Sequence, residues 1–153
     1  MNVEIKHMSA MRLATVRHIG PYNRIAEAFA RLGDIGGRAG LFNGKPTMLA
    51  VYHDDPEATP EPELRSDAAV VVSVSATIPD GMIERRLPAG RYACTLHTGP
   101  YEYLGDAWGR LMGQWLPQSR ERCQDGDSYE IYVNNPMEVP KHELQTELYI
   151  PLV

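Results

Sequence analysis

The chain has 153 residues, of which 43% are hydrophobic and 23% charged, and its formal net charge is −5. These values predict one globular domain with a hydrophobic core, and the acidic balance without clustered Lys and Arg argues against nucleic-acid binding. No apolar run reaches the ~20 residues of a membrane span, and the N-terminus does not resemble a signal peptide. The two cysteines, Cys94 and Cys123, lack metal-binding spacing and fit a reducing cytoplasm.

Strands and helices are predicted in the same order in the two halves of the chain. The first half predicts a strand over about 10–18, a helix ending near 36, and strands over about 48–53 and 68–77. The second half predicts the same order: a strand over about 91–97, a helix ending near 115, and strands over about 129–133 and 145–150. The second helix is indicated by a stripe of large apolar residues at spacings of three and four: Tyr101, Leu104, Trp108, Leu111 and Trp115.

The two halves are diverged copies of one repeat. The segment LATVRHIGPYNRIAEAFARL (13–32) aligns without a gap with YACTLHTGPYEYLGDAWGRL (92–111). Further along, VYHDDP (51–56) aligns with IYVNNP (131–136), and Asp67 aligns with Glu147. The sequence therefore predicts an α+β fold of tandem βαββ repeats, about 1–79 and 80–153, within one domain. We expect an antiparallel sheet with both main helices on one face, pseudo-twofold symmetry, and a ligand groove between the repeats.

The chain resembles the DNA-gyrase-inhibitor-like, or effector-binding, domain family, which also ends AraC-type activators and multidrug-responsive regulators. The resemblance spans nearly the whole chain and rests on RHIGPYNRIAEAFARL, AVYHDDPEATP, LRSDAAVVV, LPAGRYACTLHTGPYEYLGDAWGRLMGQWLP, YEIYVNNP and TELYIPL. It implies binding of small amphipathic molecules, aromatic or cationic, and it implies that an acid in the last strand meets the ligand's positive charge. Glu147 matches that position. No DNA-binding segment accompanies the domain here, so a separate regulator partner would have to supply one.

Alternation along the last strand predicts where Glu147 points. Leu148 and Ile150 would face the core under the helices, whereas Glu147 and Tyr149 would share the opposite face. The expected ligand-binding set is Glu147 for charge with Tyr149, Trp108 and Tyr92 for stacking. The alternative for each is structural: a solvated edge residue for Glu147 and core packing for Trp108 and Tyr92.

Three further residues are weaker candidates. Tyr22 and Tyr101, in the repeated GPY motif, would pack against their turns or line the groove. Asp67, the counterpart of Glu147, would pair with Arg65 or cap a turn rather than bind a ligand. The repeated histidines, His18 and His97, lack neighbouring ligand residues, so we expect each to satisfy a hydrogen bond beside its GPY turn and expect no metal or cofactor.

The leading hypothesis is a stand-alone binding domain that senses or sequesters a small amphipathic molecule. The alternatives are a hydrolase of strained or activated electrophiles, with Glu147 as general base, and a modulator of DNA gyrase. No nucleophile motif favours the hydrolase, and the sequence leaves the choice between monomer and dimer open.

Overall fold

The computed structural model describes all residues, 1–153. The chain forms two compact units. The unit that we call the Asp67 unit comprises Ser9–Ala89, and the Glu147 unit comprises Met1–Met8 with Gly90–Val153. None of the helices is both long enough and apolar enough to cross a membrane.

The regular elements follow the predicted order with two additional strands. The strands are β1 (Val3–Met8), β2 (Met11–Ile19), β3 (Met48–Tyr52), β4 (Arg65–Val71), β5 (Ile83–Leu87), β6 (Gly90–Thr98), β7 (Ser128–Tyr132) and β8 (Gln145–Pro151). The helices are α1 (Ala26–Arg38), α2 (Leu104–Arg110) and α3 (Leu116–Gln118), with π-helical turns at Leu111–Trp115 between α2 and α3. Single 3₁₀ turns lie at Tyr22–Arg24, Glu61–Glu63, Tyr101–Tyr103 and Lys141–Glu143.

Both units have the same sheet topology. The strand order is β5-β2-β4-β3 in the Asp67 unit and β1-β6-β8-β7 in the Glu147 unit, and these neighbours pair antiparallel. The structure therefore confirms the α+β fold and the repeated βαββ order. It also shows one more strand at the start of each repeat, which was not expected from the sequence.

The two additional strands exchange partners. Strand β1 begins the chain, yet it pairs with β6 of the second repeat, whereas β5 pairs with β2 of the first repeat. In the paired registers Lys6 lies opposite Tyr92, and Arg85 lies opposite Leu13, which is the residue that aligns with Tyr92. Lys6 and Arg85 consequently occupy equivalent positions, and each brings a positive charge to its unit.

Each unit buries the apolar stripe of its helix against its own sheet. In the Asp67 unit, Leu32 packs with Val16 and Val70, and in the Glu147 unit Leu111 packs with Leu148 and Ile150. After Arg110 the helix of the Glu147 unit widens into five residues of π-helix. A proline-containing turn at Leu116–Gln118 follows. The predicted helix end near 115 is thus confirmed to within a turn.

The repeated GPY motif builds the turn that starts each helix. Gly20 and Gly99 have φ values of 126° and 136°, a backbone conformation that residues with a side chain rarely adopt. His18 Nε2 lies 2.9 Å from the Pro21 carbonyl oxygen, and His97 Nε2 lies 3.3 Å from that of Pro100. These bonds confirm that the repeated histidines support the turns.

The strand predicted over 68–77 has different bounds. Strand β4 begins earlier, at Arg65, because Asp67 is accommodated in the sheet opposite Arg17. It ends at Val71, because the Arg12 guanidinium binds the carbonyl oxygens of Ser73 and Ala76, each at 2.7 Å, and holds the following segment out of the sheet.

Candidate functional site

Glu147 and Tyr149 lie on the face of β8 that is turned away from α2. Leu148 and Ile150 are fully buried on the helix side, which confirms the alternation expected from the sequence. On the opposite face, the register of the sheet places Tyr149 between Cys94 of β6 and Tyr129 of β7. The position of Glu147 at this face follows directly from the two-residue period of the strand.

Three tyrosines form a cluster beside Glu147. The Tyr129 and Tyr149 rings stack with centroids 4.9 Å apart, and Tyr92 meets them edge-on at 5.3 and 6.3 Å. The Tyr149 hydroxyl donates a hydrogen bond of 3.1 Å to Glu147 Oε1. Tyr92 and Tyr149 therefore lie in the same cluster as Glu147, and Tyr129 is a further member that was not among the expected residues.

Glu147 forms only weak polar contacts with the rest of its unit. Its side chain is 28% exposed, and its cationic neighbour, Lys6, has Nζ 3.9 Å from Oε2. Ion pairs at this distance and exposure contribute about 0–1 kcal/mol. The carboxylate thus keeps solvent contact while it accepts a hydrogen bond from Tyr149.

Burial governs the chemistry of the three tyrosines. It raises the pKa of Tyr149 well above its ordinary value, with smaller contributions from Cys94 and from the negative charge of Glu147. Burial also raises the pKa of Tyr129 and, together with the charge of Asp127, the pKa of Tyr92. All three hydroxyls consequently stay protonated near neutral pH, and that of Tyr149 donates to Glu147.

Asp67, the counterpart of Glu147, has a different environment. It is fully buried, with Arg17 Nε 2.7 Å from Oδ1 and with Arg85 Nε at 2.8 Å and His53 Nε2 at 2.6 Å from Oδ2. Burial alone would raise the pKa of the Asp67 carboxyl, but the hydrogen bonds from His53 and Arg17 lower it below its ordinary value overall. Asp67 is therefore a charged group held inside the unit by cations.

The expected pairing of Asp67 with Arg65 is wrong. Arg65 instead forms a two-point ion pair with Asp54, with nitrogen–oxygen distances of 3.0 and 2.8 Å. The hydrogen bonds from Arg65 hold the pKa of the Asp54 carboxyl at about 2, against a desolvation effect that raises it. The partners of Asp67 come from distant parts of the chain that only the sheet brings together.

Trp108 belongs to another cluster on the helix side of the sheet. Its indole Nε1 donates a 2.8 Å hydrogen bond to Glu130 Oε1, and the Tyr132 hydroxyl donates a 2.7 Å bond to Glu130 Oε2. The side chain of Tyr101 contacts Tyr132, with ring centroids 5.4 Å apart. Glu130 is a buried residue, only 2% exposed. The expected set of four thus divides between the two faces of one sheet, because Trp108 lies on the helix whereas Glu147 lies on the opposite face.

Tyr101 and Tyr22 occupy equivalent places but have different surroundings. Burial raises the pKa of Tyr101, and the charge of Glu130 raises it further. The Tyr22 hydroxyl donates to the carbonyl oxygen of Asp54 at 2.7 Å, and its ring lies 4.7 Å from that of Tyr52. Tyr22 therefore closes its own turn, whereas Tyr101 is adjacent to a buried acid.

The repeat alignment contained a signal for Glu130 and Tyr129. Tyr129 aligns with Leu49 of the first repeat and Glu130 with Ala50, so an apolar pair in one half is replaced by a tyrosine and an acid in the other. A buried strand position that gains a carboxylate in one copy only is a candidate for function, because burying an acid is costly. The partners of Asp67 carried no comparable signal, since Arg17, His53 and Arg85 are dispersed in the sequence.

A surface depression of about 600 Å³ lies elsewhere, along the exposed side of α2. His97, Tyr103, Asp106 and Arg110 are among its lining residues, and Glu130 and Glu147 are not. Small-molecule sites are usually enclosed and mostly apolar. The depression is open to solvent and carries side chains of both charges, so the two acid–tyrosine clusters are the stronger candidates.

The whole chain, residues 1–153, matches the family model described as the GyrI-like small molecule binding domain. The chain belongs to the GyrI-like family. It is a small-molecule-binding domain, as the resemblance of its motifs implied. Its tyrosine-lined carboxylates lie on the elements that the second repeat contributes.

Other proteins similar to this GyrI-like domain point the same way. A DNA gyrase inhibitor of Yersinia enterocolitica is 31% identical over 140 residues, which cover 88% of this chain and 88% of the relative. The crystal structure of the EcmrR C-terminal domain superposes with a TM-score of 0.78 at 18% identity, covering 99% of this chain and 97% of that one. SAV2435 bound to tetraphenylphosphonium superposes with a TM-score of 0.74 at 15% identity, covering 100% and 94%. At these identities the two solved structures support the fold.

Proposed function

We propose that this GyrI-like domain binds amphipathic organic cations with an aromatic body, and that its Glu147 unit carries the recognition. The observation behind the proposal is the difference between repeat-related acids. Asp67 is surrounded by guanidinium and imidazole groups, whereas Glu147 accepts a hydrogen bond from a tyrosine and keeps solvent contact. A carboxylate beside aromatic rings attracts a cation both by charge and by the negative faces of the rings.

We propose that Glu147 meets the ligand's positive charge, with Tyr149 and Tyr92 providing the stacking surface. Glu130 is the second acid of the same unit, but it is buried beneath Trp108 on the helix side of the sheet. A ligand that bound Glu130 instead would have to displace Trp108 from its hydrogen bond. SAV2435 in complex with tetraphenylphosphonium, a lipophilic aromatic cation, supports the choice of ligand class.

The test is an isothermal titration calorimetry measurement of tetraphenylphosphonium binding to the wild-type chain. We expect saturable binding that Glu147→Gln weakens about tenfold or more, since a charge-assisted contact contributes about 1.5–3 kcal/mol. Glu138→Gln is the matched control, because Glu138 is an exposed loop acid and the variant has the same net charge.

The affinities of the variants show whether Glu147 or Glu130 recognises the cation. If Glu130→Gln weakens binding and Glu147→Gln does not, the charge role belongs to Glu130 and our assignment to Glu147 is wrong. Equal affinities in all variants would show that neither carboxylate recognises the cation.

DNA gyrase is a second candidate partner, favoured by the relatives named DNA gyrase inhibitor. We expect purified chain to reduce the supercoiling activity of gyrase in a concentration-dependent manner if it shares that activity. Unchanged supercoiling at a large molar excess of the chain would reject it. The free cysteines Cys94 and Cys123 fit the reducing cytoplasm in which we propose that the domain works.

A further inference from the structure

The ion-pair cluster of the Asp67 unit holds more positive charge than its acid requires. Arg17 and Arg85 both contact the single carboxylate of Asp67, one on each oxygen. Two permanently charged guanidinium groups against one carboxylate leave a surplus of one positive charge, and His53 adds to it whenever it is protonated. Surplus charge of this kind is costly next to a buried group, so it needs an explanation beyond holding Asp67 in place.

Each arginine contacts Asp67 through Nε, Arg17 by a hydrogen bond and Arg85 by an ion pair without hydrogen-bonding geometry. Arg17 Nε lies 2.7 Å from Asp67 Oδ1, and Arg85 Nε lies 2.8 Å from Oδ2. Neither arginine uses its terminal Nη groups in a hydrogen bond or ion pair with the rest of the protein. The two side chains are 25% and 35% exposed, so their free ends remain open to a solute.

The shared carboxylate brings the two guanidinium groups close to one another. Arg17 Nε lies beside Oδ1 of Asp67, and Arg85 Nε lies beside Oδ2 of the same carboxylate. Asp67 is fully buried and fixed in the sheet opposite Arg17, so the anchor cannot shift easily. A guanidinium edge anchored in this way has lost much of its side-chain freedom before any ligand arrives, which favours binding.

We propose that Arg17 and Arg85 form a binding site for a small oxyanion, either a carboxylate or a phosphate group. Planar guanidinium groups match both oxyanions through paired N–H donors, and two of them would surround the anion from two sides. The Glu147 unit has no equivalent, because Leu96 aligns with Arg17 and a lysine, Lys6, takes the place of Arg85. The site is independent of the cation-binding function proposed above.

The test uses the full chain labelled with ¹⁵N, and it follows the arginine Nε–Hε signals during titration with inorganic phosphate or with acetate. Ionic strength is held constant, because salt screens such contacts. We expect saturable shifts of the Arg17 and Arg85 signals. Arg85→Gln should weaken the binding of the preferred anion about tenfold or more. The two titrations show whether the site prefers phosphate or carboxylate.

Arg86→Gln is the matched control. Arg86 neighbours Arg85 on β5 and carries the same charge, but it is 68% exposed and pairs with Glu84. We expect wild-type affinity in this variant. Equal weakening in Arg85→Gln and Arg86→Gln would show a nonspecific charge effect and overturn the site, as would the absence of saturable shifts in the wild type.

A second variant covers the case in which Arg85→Gln does not fold. Arg17→Leu introduces the residue that stands at the equivalent strand position as Leu96, and it leaves Arg85 and His53 on Asp67. A folded Arg17→Leu chain that binds the anion as tightly as the wild type would overturn the proposal. Tetraphenylphosphonium binding, measured in parallel, shows whether the cation function survives independently.

Discussion

Asp67 and Glu147 occupy the same position in two copies of one repeat, yet they have opposite physical situations. Asp67 has no exposed surface and lies within hydrogen-bonding distance of two arginines and a histidine. Glu147 keeps 28% of its side-chain surface exposed and has a tyrosine hydroxyl as its donor. One copy therefore uses the acid to hold its own strands together, and the other leaves its acid available beside aromatic rings.

The comparison of Asp67 with Glu147 shows how substitutions in one copy of a repeat can make its acid available for binding. Three substitutions around the acid distinguish the copies: Arg17 aligns with Leu96, His53 with Val133, and Ala69 with Tyr149. Removing two cationic partners and adding a tyrosine frees the carboxylate without changing the strand that carries it. Sheet topology is shared by both units, so the fold tolerates both arrangements.

The largest expected effect comes from removing the charge of Asp67. Asp67→Asn leaves two guanidinium groups facing each other without a counter-charge, and breaking a buried ion pair costs about 3–5 kcal/mol. We expect the free energy of unfolding, measured by urea denaturation, to fall by that amount. Glu147→Gln, at the equivalent position, should change it by less than about 1 kcal/mol. Similar losses in both variants would contradict the division of roles.

We expect protonation of Asp67 to contribute to the loss of folding stability at low pH. Its folded-state pKa lies below the unfolded value of about 3.9, so the carboxylate stabilises the fold fully above about pH 4. That contribution is lost as the pH falls further, through the folded-state pKa. We expect urea denaturation at several pH values to show a steeper acid-side loss of stability in the wild type than in Asp67→Asn. Parallel pH profiles of the two proteins would show that Asp67 is not the group responsible.

The glycines of the GPY motif should matter equally in both units. Gly20→Ala and Gly99→Ala each place a side chain at a positive φ, which costs about 1–2 kcal/mol. Gly33→Ala is the control, because Gly33 lies in α1 with nothing within 4 Å of an added Cβ. That variant should stabilise the helix by about 0.5–1 kcal/mol. Thermal melts of the three variants provide the measurement, and a large asymmetry between Gly20 and Gly99 would refute their equivalence.

The smallest effect is expected for Lys6. Lys6→Gln removes a partly exposed charge 3.9 Å from Glu147, so stability should change by about 0–1 kcal/mol. The variant also removes a cation beside the proposed ligand charge, and we expect affinity for tetraphenylphosphonium to rise by up to a few-fold. The same calorimetric titration checks this, and weaker binding would indicate that Lys6 holds Glu147 in its binding orientation.

Local sequence patterns predicted much of the fold because they follow directly from backbone geometry. The period of two in β8 predicted which side Glu147 and Tyr149 take, and the stripe through Leu104 and Leu111 predicted the buried side of the second helix. Strands β1 and β5 were missed. Their residues are largely exposed, so they lack the apolar signal of the central strands.

The site was harder to predict, because it depends on strand pairing. Glu147 and Tyr149 are near neighbours in sequence, and their contact was foreseeable. Trp108 was expected near Glu147, but the helix places it over the other side of the sheet, beside Glu130. No local sequence pattern predicts which strands are neighbours in the sheet, because strand pairing is decided by contacts between residues distant in the chain.

By itself, the sequence determined the duplication, the order of the main elements, the turn geometry at GPY and the face on which each β8 residue lies. These properties depend on backbone sterics and on the periods of helix and strand, both of which are local. Only the tertiary structure decided that β1 and β5 exchange partners, that Asp67 is neutralised by Arg17, His53 and Arg85, and that Glu147 is not. The electrostatic environment of an acid is a sum over neighbours in space, and those neighbours exist only once the strands have paired.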